Sequence, residues 1–371
     1  AGGILNSYHQ FAVPAFTPVL LNICLISSAF FLAPYFDEPL MALAWGVALA
    51  GVAQLLIQFP SLIKLGLMPV PKVKRGHEGI KKIVRLMIPA IFGSSVAQIN
   101  LLLDTVIASF LITGSVTWLY YSDRLLEFPL GVLGIAIATV ILPTLSQQHA
   151  RASTEQFSQT LNWALRLVTL ITIPACAGLF ILAAPILSSL FEYGKFTASD
   201  TYMSSLSLMA YMLGLPALIV IKILAPGYYA RQDTRTPVRI GIIAMVCNMV
   251  MNIAFVVPLV MLDYEAPHIG LALATSLSAY INAILLYSGL RETNIFTPQS
   301  GWLAWIFRII IATTAMAAIV IWLNPNAAQW SQWQLTERLT NLTVIIISAA
   351  LVYFIMLWLQ GLRPHQLKKT S

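Results

Sequence analysis

Ten runs of about twenty apolar residues, separated by shorter polar connections, dominate this chain and leave it few ways to fold. They lie at about 12–33, 40–62, 86–112, 117–146, 161–183, 201–226, 238–260, 268–290, 302–323 and 340–361. A helix rises about 1.5 Å per residue, so roughly twenty residues cross the hydrocarbon of a bilayer. Inside hydrocarbon every backbone N–H and C=O must find a partner within the protein, which permits helices or a closed barrel. These runs are continuously apolar and do not alternate, so the expectation is helices. Only 9% of the residues are charged, against about 25% in an ordinary soluble domain. The chain therefore reads as an all-α polytopic membrane protein with ten transmembrane helices.

The connections sort the charges. Seventeen of the 21 Lys and Arg fall in alternate connections or beside them: residues 64–85, Arg151 and Arg166, Arg231 to Arg239, Arg291 and Arg308, and the tail from Arg363. The opposite connections carry Asp37, Glu38, Glu192, Asp200, Asp263 and Glu265, with only Lys195 and Arg338 as cations. Basic connections stay in the cytoplasm, so both ends of the chain are expected there. The net charge of +7 is a topology signal spread over several loops, not a nucleic-acid surface. The chain begins AGGILNSYHQ, without an initiator Met or the pattern of a signal peptide, and is expected to start inside a longer protein. Cys24, Cys176 and Cys247 lie in apolar runs and read as small buried hydrophobes. The five histidines form no HxH or HxxxH pair, and no GxSxG or Walker A motif is present.

Polar residues inside the runs carry the functional information. Arg124, flanked by Asp123 and Glu127, lies in the fourth run, where insertion of an Arg at the centre costs roughly 2.5–3.5 kcal/mol. Tyr120, Arg124, Glu127, Gly131, Gly134 and Ala138 share a helical face, polar at one end and small at the other. That face suits the wall of a cationic cavity; the alternative is a structural pair with a carboxylate on the same helix. Lys222 either lines the same cavity or snorkels to the headgroups. In the third run Asp104 is an intramembrane carboxylate, and runs seven and eight supply Asn248, Asn252 and Thr275. If these runs meet, the four residues form a sodium or proton site; the alternative is interhelical hydrogen bonding. Prolines in or at the ends of most runs bend the helices, as suits a transporter that opens on alternate sides.

The stretch TGSVTWLYYSDRLLEFPLGVLGIAIATVILPTLS at 113–146 resembles the hallmark of the MurJ/MviN family of lipid II flippases. FAVPAFTPVLLNI (11–23), LFEYGKFTASD (190–200), LAPGYYARQDTRTPVRI (224–240) and IFTPQSGW (295–302) extend the resemblance over essentially the whole chain. It implies a fourteen-helix, two-lobe protein of the multidrug/oligosaccharidyl-lipid/polysaccharide exporter superfamily, enclosing a cationic cavity. The ten runs then look like the last ten helices. The first four, which carry further cavity arginines in relatives, have no counterpart here. Residues 1–63 would finish the N-lobe and 64–85 would be a basic cytoplasmic inter-lobe loop. Residues 86–290 would be the C-lobe, and 291–371 an extra helix pair with a groove for a lipid tail, followed by a basic tail. Arg124 matches the family's C-lobe cavity arginine, with Asp123 and Glu127 as its acidic neighbours. Asp104, Asn248, Asn252 and Thr275 fall near a sodium site of some relatives.

The implied function is movement of lipid II from the inner to the outer leaflet of the bacterial inner membrane by alternating access, with no covalent chemistry. No organic cofactor is implied; sodium or proton coupling and the membrane potential are the expected drivers. Expected partners are lipid II, membrane lipids and cell-wall synthesis proteins. Three other readings remain: a drug or polysaccharide-unit exporter of the same superfamily, a non-transporting cell-wall scaffold, and a polyprenyl-phosphate transferase. The transferase would need clustered acidic metal ligands, and the cytoplasmic connections offer only isolated Glu78, Glu155, Asp233 and Glu292.

Overall fold

The computed structural model describes residues 1–8, 10, 12–67, 95 and 98–363. The regular structure of the described residues is all helical, and eight helices are long and apolar enough to cross a membrane. The first part of the third expected span lies outside the described residues, as do most of the basic 64–85 connection, Lys368 and Lys369. The fourth is present as a helical stretch from Ser115 to Ala150, interrupted by a π segment at Leu130–Ile135, and is not among the eight. The chain divides into two compact units, Ala1–Lys81 and Lys82–Ser371.

In the first unit, α1 (Gly2–Ser7) precedes α2 (Ala12–Ser27), which runs on through a π turn at Ser28–Leu32 and a 3-10 turn at Ala33–Tyr35. Helices α3 (Pro39–Leu56) and α4 (Phe59–Lys64) follow. Helix α3 buries Ala42, Gly46 and Ala50, a stripe of small residues four apart that brings two backbones close. Pro18 cannot donate to the carbonyl of Pro14, and the Thr17 hydroxyl does so instead at 2.8 Å.

The second unit contains α5 (Gln98–Ser109), α6 (Ser115–Pro129), a π segment at Leu130–Ile135, and α7 (Ala136–Ala150). Then come α8 (Thr154–Ile181), α9 (Ala183–Phe191), α10 (Ala198–Tyr229), α11 (Arg235–Met261) and α12 (Ile269–Glu292). Helices α13 (Trp302–Leu323), α14 (Ala327–Gln332) and α15 (Leu335–Leu359) complete it. Helix α10 is the axis of this unit and packs against α6, α7, α8, α9 and α12. It opens with a capping box in which Thr197 and Asp200 satisfy each other's backbone N–H groups. Against α12 the approach is closest at Gly214: a Cβ there would stand 2.6 Å from the Cα of Ser276, whose hydroxyl donates to the Ala210 carbonyl at 2.7 Å.

The basic end of this unit is tied by side chains. Asn162 of α8 donates to the Thr297 carbonyl and accepts from the Gln299 amide and the Trp302 indole, which clamps the 297–302 connection. At the acidic end, Arg338 is not the loop cation that the sequence suggests. It lies in the first turn of α15, only 5% exposed. Its guanidinium donates to the Ser188, Ser331 and Trp333 carbonyls and to Glu192, joining α15 to α9. A charge buried this deeply needs all of those partners, since breaking such a pair costs about 3–5 kcal/mol.

Gly214→Val is expected to force α10 and α12 apart and to lower stability by about 1–3 kcal/mol or more, as overpacking does. Thermal unfolding in detergent measures it, beside a Leu213→Val control on the exposed face of α10. An unchanged midpoint in Gly214→Val would mean that the two helices do not touch there.

Candidate functional site

The candidate site is built on α6. One face of this helix buries Trp118, Ser122, Leu126 and Pro129 in the unit, so its other face carries the exposed Tyr120, Arg124 and Glu127. Arg124 Nη1 donates to Glu127 Oε2 at 2.6 Å, and its guanidinium lies 4.9 Å from the centre of the Tyr120 ring. The pair is the i, i+3 arrangement open to the sequence, yet its side chains stay 46% and 53% exposed. One carboxylate one turn away does not use all five N–H groups of a guanidinium, and an exposed pair of this kind contributes only about 0–1 kcal/mol. Asp123, beside Arg124, is half-buried and does not join this pair.

The small half of the expected face is displaced. The backbone widens into a π turn over Leu130–Ile135, which breaks the 3.6-residue register between Arg124 and Gly134. Gly134 is buried against the stem of Lys222, which projects from α10. Ten residues separate Gly134 from Arg124, about 15 Å along a helix axis, so Lys222 and Arg124 sit at different heights. Of the expected cavity residues, Arg124 and Glu127 are brought together; Lys222 stands apart from them.

The second polar group lies where α5, α11 and α12 meet. Asn252 Nδ2 donates to Asp104 Oδ1 at 2.6 Å and to Asn248 Oδ1 at 3.1 Å. Thr275 Oγ1 reaches Asp104 Oδ2 at 3.4 Å and accepts from Asn248 at 3.3 Å. All four residues named from the sequence therefore meet, and Asn100, one turn before Asp104, joins them at 3.2 Å. Asn248 and Asn252 are fully buried, and the Asn252 Oδ1 atom has no hydrogen-bond donor. A carboxylate, a hydroxyl and an orphaned amide oxygen are the donor set of a hard cation. Asp104 is the one carboxylate of this cluster.

A clamp at the acidic end of the unit orients α6, and sequence reasoning missed it. The Trp118 indole donates to Asp200 Oδ1 at 2.8 Å, and the Ser122 hydroxyl donates to the Ser204 carbonyl at 2.7 Å. The four-residue spacing on both helices makes two parallel rungs between α6 and α10. His268, fully buried before α12, packs its ring 5.0 Å from that of Trp118 and bonds the Met203 carbonyl. Gly114 begins α6 with φ +107°, and a Cβ there would fall 2.5 Å from the Trp118 ring. Only the TASD capping pattern was a legible signal; the partners of Asp200 come from distant helices.

Residues 1–344 match the sequence model of the family described as lipid II flippase MurJ. The chain belongs to that family. A probable lipid II flippase MurJ of Vibrio cholerae serotype O1 is 48% identical over 373 residues, covering 100% of this chain and 69% of the relative. The corresponding protein of Haemophilus influenzae is 47% identical, covering 99% of this chain and 72% of the relative. A solved lipid II flippase MurJ in an inward closed conformation superposes with a TM-score of 0.74 at 27% identity, over 96% of this chain and 68% of that one. The chain spans 69% and 72% of the length of these two relatives and 68% of the solved structure.

Within this MurJ-family chain, Trp118→Phe keeps the ring against His268 but removes the donor to Asp200. A hydrogen bond to a charged group contributes about 1.5–3 kcal/mol, and a loss of that order is expected in equilibrium unfolding. Gly114→Ala should cost more, because it meets both the positive φ and the indole. Equal stability of all three proteins would remove the clamp.

Proposed function

We propose that this chain moves lipid II from the inner to the outer leaflet of the bacterial inner membrane, with Arg124 binding the anionic part of the headgroup. The observation that carries the reading is the half-exposed Arg124 within a membrane helix of a MurJ-family chain, held to one carboxylate on its own helix. A guanidinium in contact with lipid tails is costly, so this face belongs on a water-filled cavity. The lipid II headgroup carries a pyrophosphate and many hydroxyls, which lose their water if they enter hydrocarbon directly. Arg124 has N–H groups left over from the Glu127 pair, and a guanidinium holds phosphate oxygens in a two-pronged, charge-assisted contact. Glu127 and the Tyr120 ring set its direction. Asp123 adds negative charge beside it and tempers retention of the anion, while Lys222 offers a second cation along the same path.

The transport is a conformational cycle without covalent chemistry. Residues 1–63 close one lobe, 64–85 connect the lobes, 86–290 form the second lobe, and 291–371 add a helix pair beside which the polyprenyl tail stays in the lipid. Rocking of one lobe against the other exposes the cavity on alternate sides. The basic connections and both ends of the chain face the cytoplasm. Asp104, Asn248, Asn252 and Thr275 hold a sodium ion or, at Asp104, a proton; bound charge at this point links α5, α11 and α12. Moving a charge through the membrane potential is worth about 2.3 kcal/mol per 100 mV and biases the cycle.

In cells depleted of their own flippase, Arg124→Ala is expected to abolish outer-leaflet exposure of lipid II at normal expression. Arg124→Lys is expected to fail as well, because an ammonium lacks the planar fork. Normal exposure with Arg124→Ala would leave only a structural pair with Glu127.

For the cation site, sodium chloride is expected to raise the thermal midpoint of the purified protein relative to choline chloride. Asp104→Asn should erase that difference. A sodium effect that survives in the variant would assign the cluster to interhelical hydrogen bonding.

A further inference from the structure

His268 is fully buried, yet one of its two ring nitrogens has no partner. It precedes α12 and, with Ala266 and Pro267, is packed into the acidic end of the second unit. Nε2 lies 3.1 Å from the Met203 carbonyl of α10. A carbonyl only accepts, so Nε2 carries the proton and Nδ1 is the bare nitrogen. Nδ1 is buried and has no hydrogen-bond donor. The ring stands 5.0 Å from that of Trp118, tilted by 47°. The start of α12 is itself held against α11: at Gly270, two residues on, a Cβ would meet Val256 at 3.0 Å.

No carboxylate among the described residues pairs with this ring. From α6 it meets the uncharged indole of Trp118. From α10 comes Asp200, one turn before Met203, whose carboxylate already accepts from the Trp118 indole and from the Thr197 amide and hydroxyl. Helix α11 brings the apolar Phe255 and Val256 to Gly270. The connection before α12 carries Asp263 and Glu265, both exposed, and Glu265 accepts from the Tyr202 hydroxyl at 3.2 Å. A second proton, on Nδ1, therefore creates a buried cation whose new N–H has no acceptor. The Trp118 face attracts such a cation but offers it no lone pair. Burial accordingly holds the His268 imidazole below the ordinary histidine range, with only the Met203 carbonyl acting the other way.

We propose that His268 is a positioning residue for the Arg124 helix, and that its protonation from the end of the unit bearing the acidic connections releases the α6 clamp. The neutral ring packs against Trp118 while the indole stays on Asp200. The imidazolium must recruit water or a carboxylate to Nδ1, and Asp200 is the carboxylate of the clamp. Trp118 and Ser122 set the rotation of α6, so their release turns the face that carries Arg124. Because the folded protein favours the neutral ring, the clamp holds fully above about pH 6.5, the unperturbed histidine value, and weakens as the pH falls below it. The consequence for an anion on Arg124 rests on the function proposed above; the loosening of α6 does not.

The test is amide hydrogen exchange of the purified protein in lipid nanodiscs at about pH 7.5 and about pH 5, with rates corrected for the intrinsic effect of pH. Protection of residues 115–126 is expected to fall about ten-fold in wild type over that range, the scale of a one-unit difference in the affinity for a single proton. Helix α13, outside the clamp, should keep its protection. His268→Gln retains an amide donor for the Met203 carbonyl and does not titrate, so its α6 protection should be the same at both values. His268→Asn carries the test if His268→Gln does not fold. Wild-type protection that is unchanged by pH overturns the proposal, as does an equal loss in α13. A loss in His268→Gln as large as in wild type overturns it too and moves the titration to Asp200 or Glu265. No lipid II enters the experiment, so its failure leaves the transport reading standing, and failure of that reading leaves the exchange result.

Discussion

The second unit depends on the need to give every polar group inside hydrocarbon a partner, and α10 is where most of those debts are settled. Pro216 denies the Met212 carbonyl its helical donor, and the Cys176 thiol supplies one at 2.9 Å. Ser122, Ser276, Tyr280 and His268 bond other carbonyls of α10, each from a different position in the bundle. Tyr228 of α10 returns the arrangement by donating to the Leu286 carbonyl of α12. Without a strong hydrophobic force between helices in lipid, such bonds and the close approach at Gly214 specify which helices are neighbours.

Three charged or carboxylate-bearing centres follow from that frame, and their environments set them apart. Arg338 is consumed: its donors are matched by carbonyls and by Glu192, so it is architectural. Asp104 is enclosed by amides and a hydroxyl, with the Asn100 and Asn252 amide oxygens left over, which suits a small cation. Arg124 remains half-exposed on a helix that the Trp118 and Ser122 rungs hold in rotation. The same residue type is thus structural at one end of the unit and available to an anion elsewhere, and the number of satisfied donors makes the difference.

Much of this was legible in the chain. The apolar runs located eight of the spans, because the length of a membrane helix is imposed by the bilayer and the composition by its solvent. Asp104, Asn248, Asn252 and Thr275 stood out because polar side chains within such runs are costly, and their meeting follows from the packing of α5, α11 and α12. The Cys176 thiol reads as a small hydrophobe in sequence and is a hydrogen-bond donor in the fold, because its acceptor, thirty-six residues away on α10, is freed by Pro216. Arg338 was misplaced for a related reason: hydropathy ends a span at a charge, while the helix continues if the charge is matched by partners on another element.

By itself the sequence determined the solvent, the helical class, the polar positions and the family, since each is written in local composition or contiguous motifs. Tertiary structure alone decided which of those polar groups are satisfied. It paired Trp118 with Asp200 and Arg338 with Glu192, and broke the register of the Arg124 face with a π turn. The physical reason is that satisfaction is a property of pairs distant in the chain, and no local pattern records the partner.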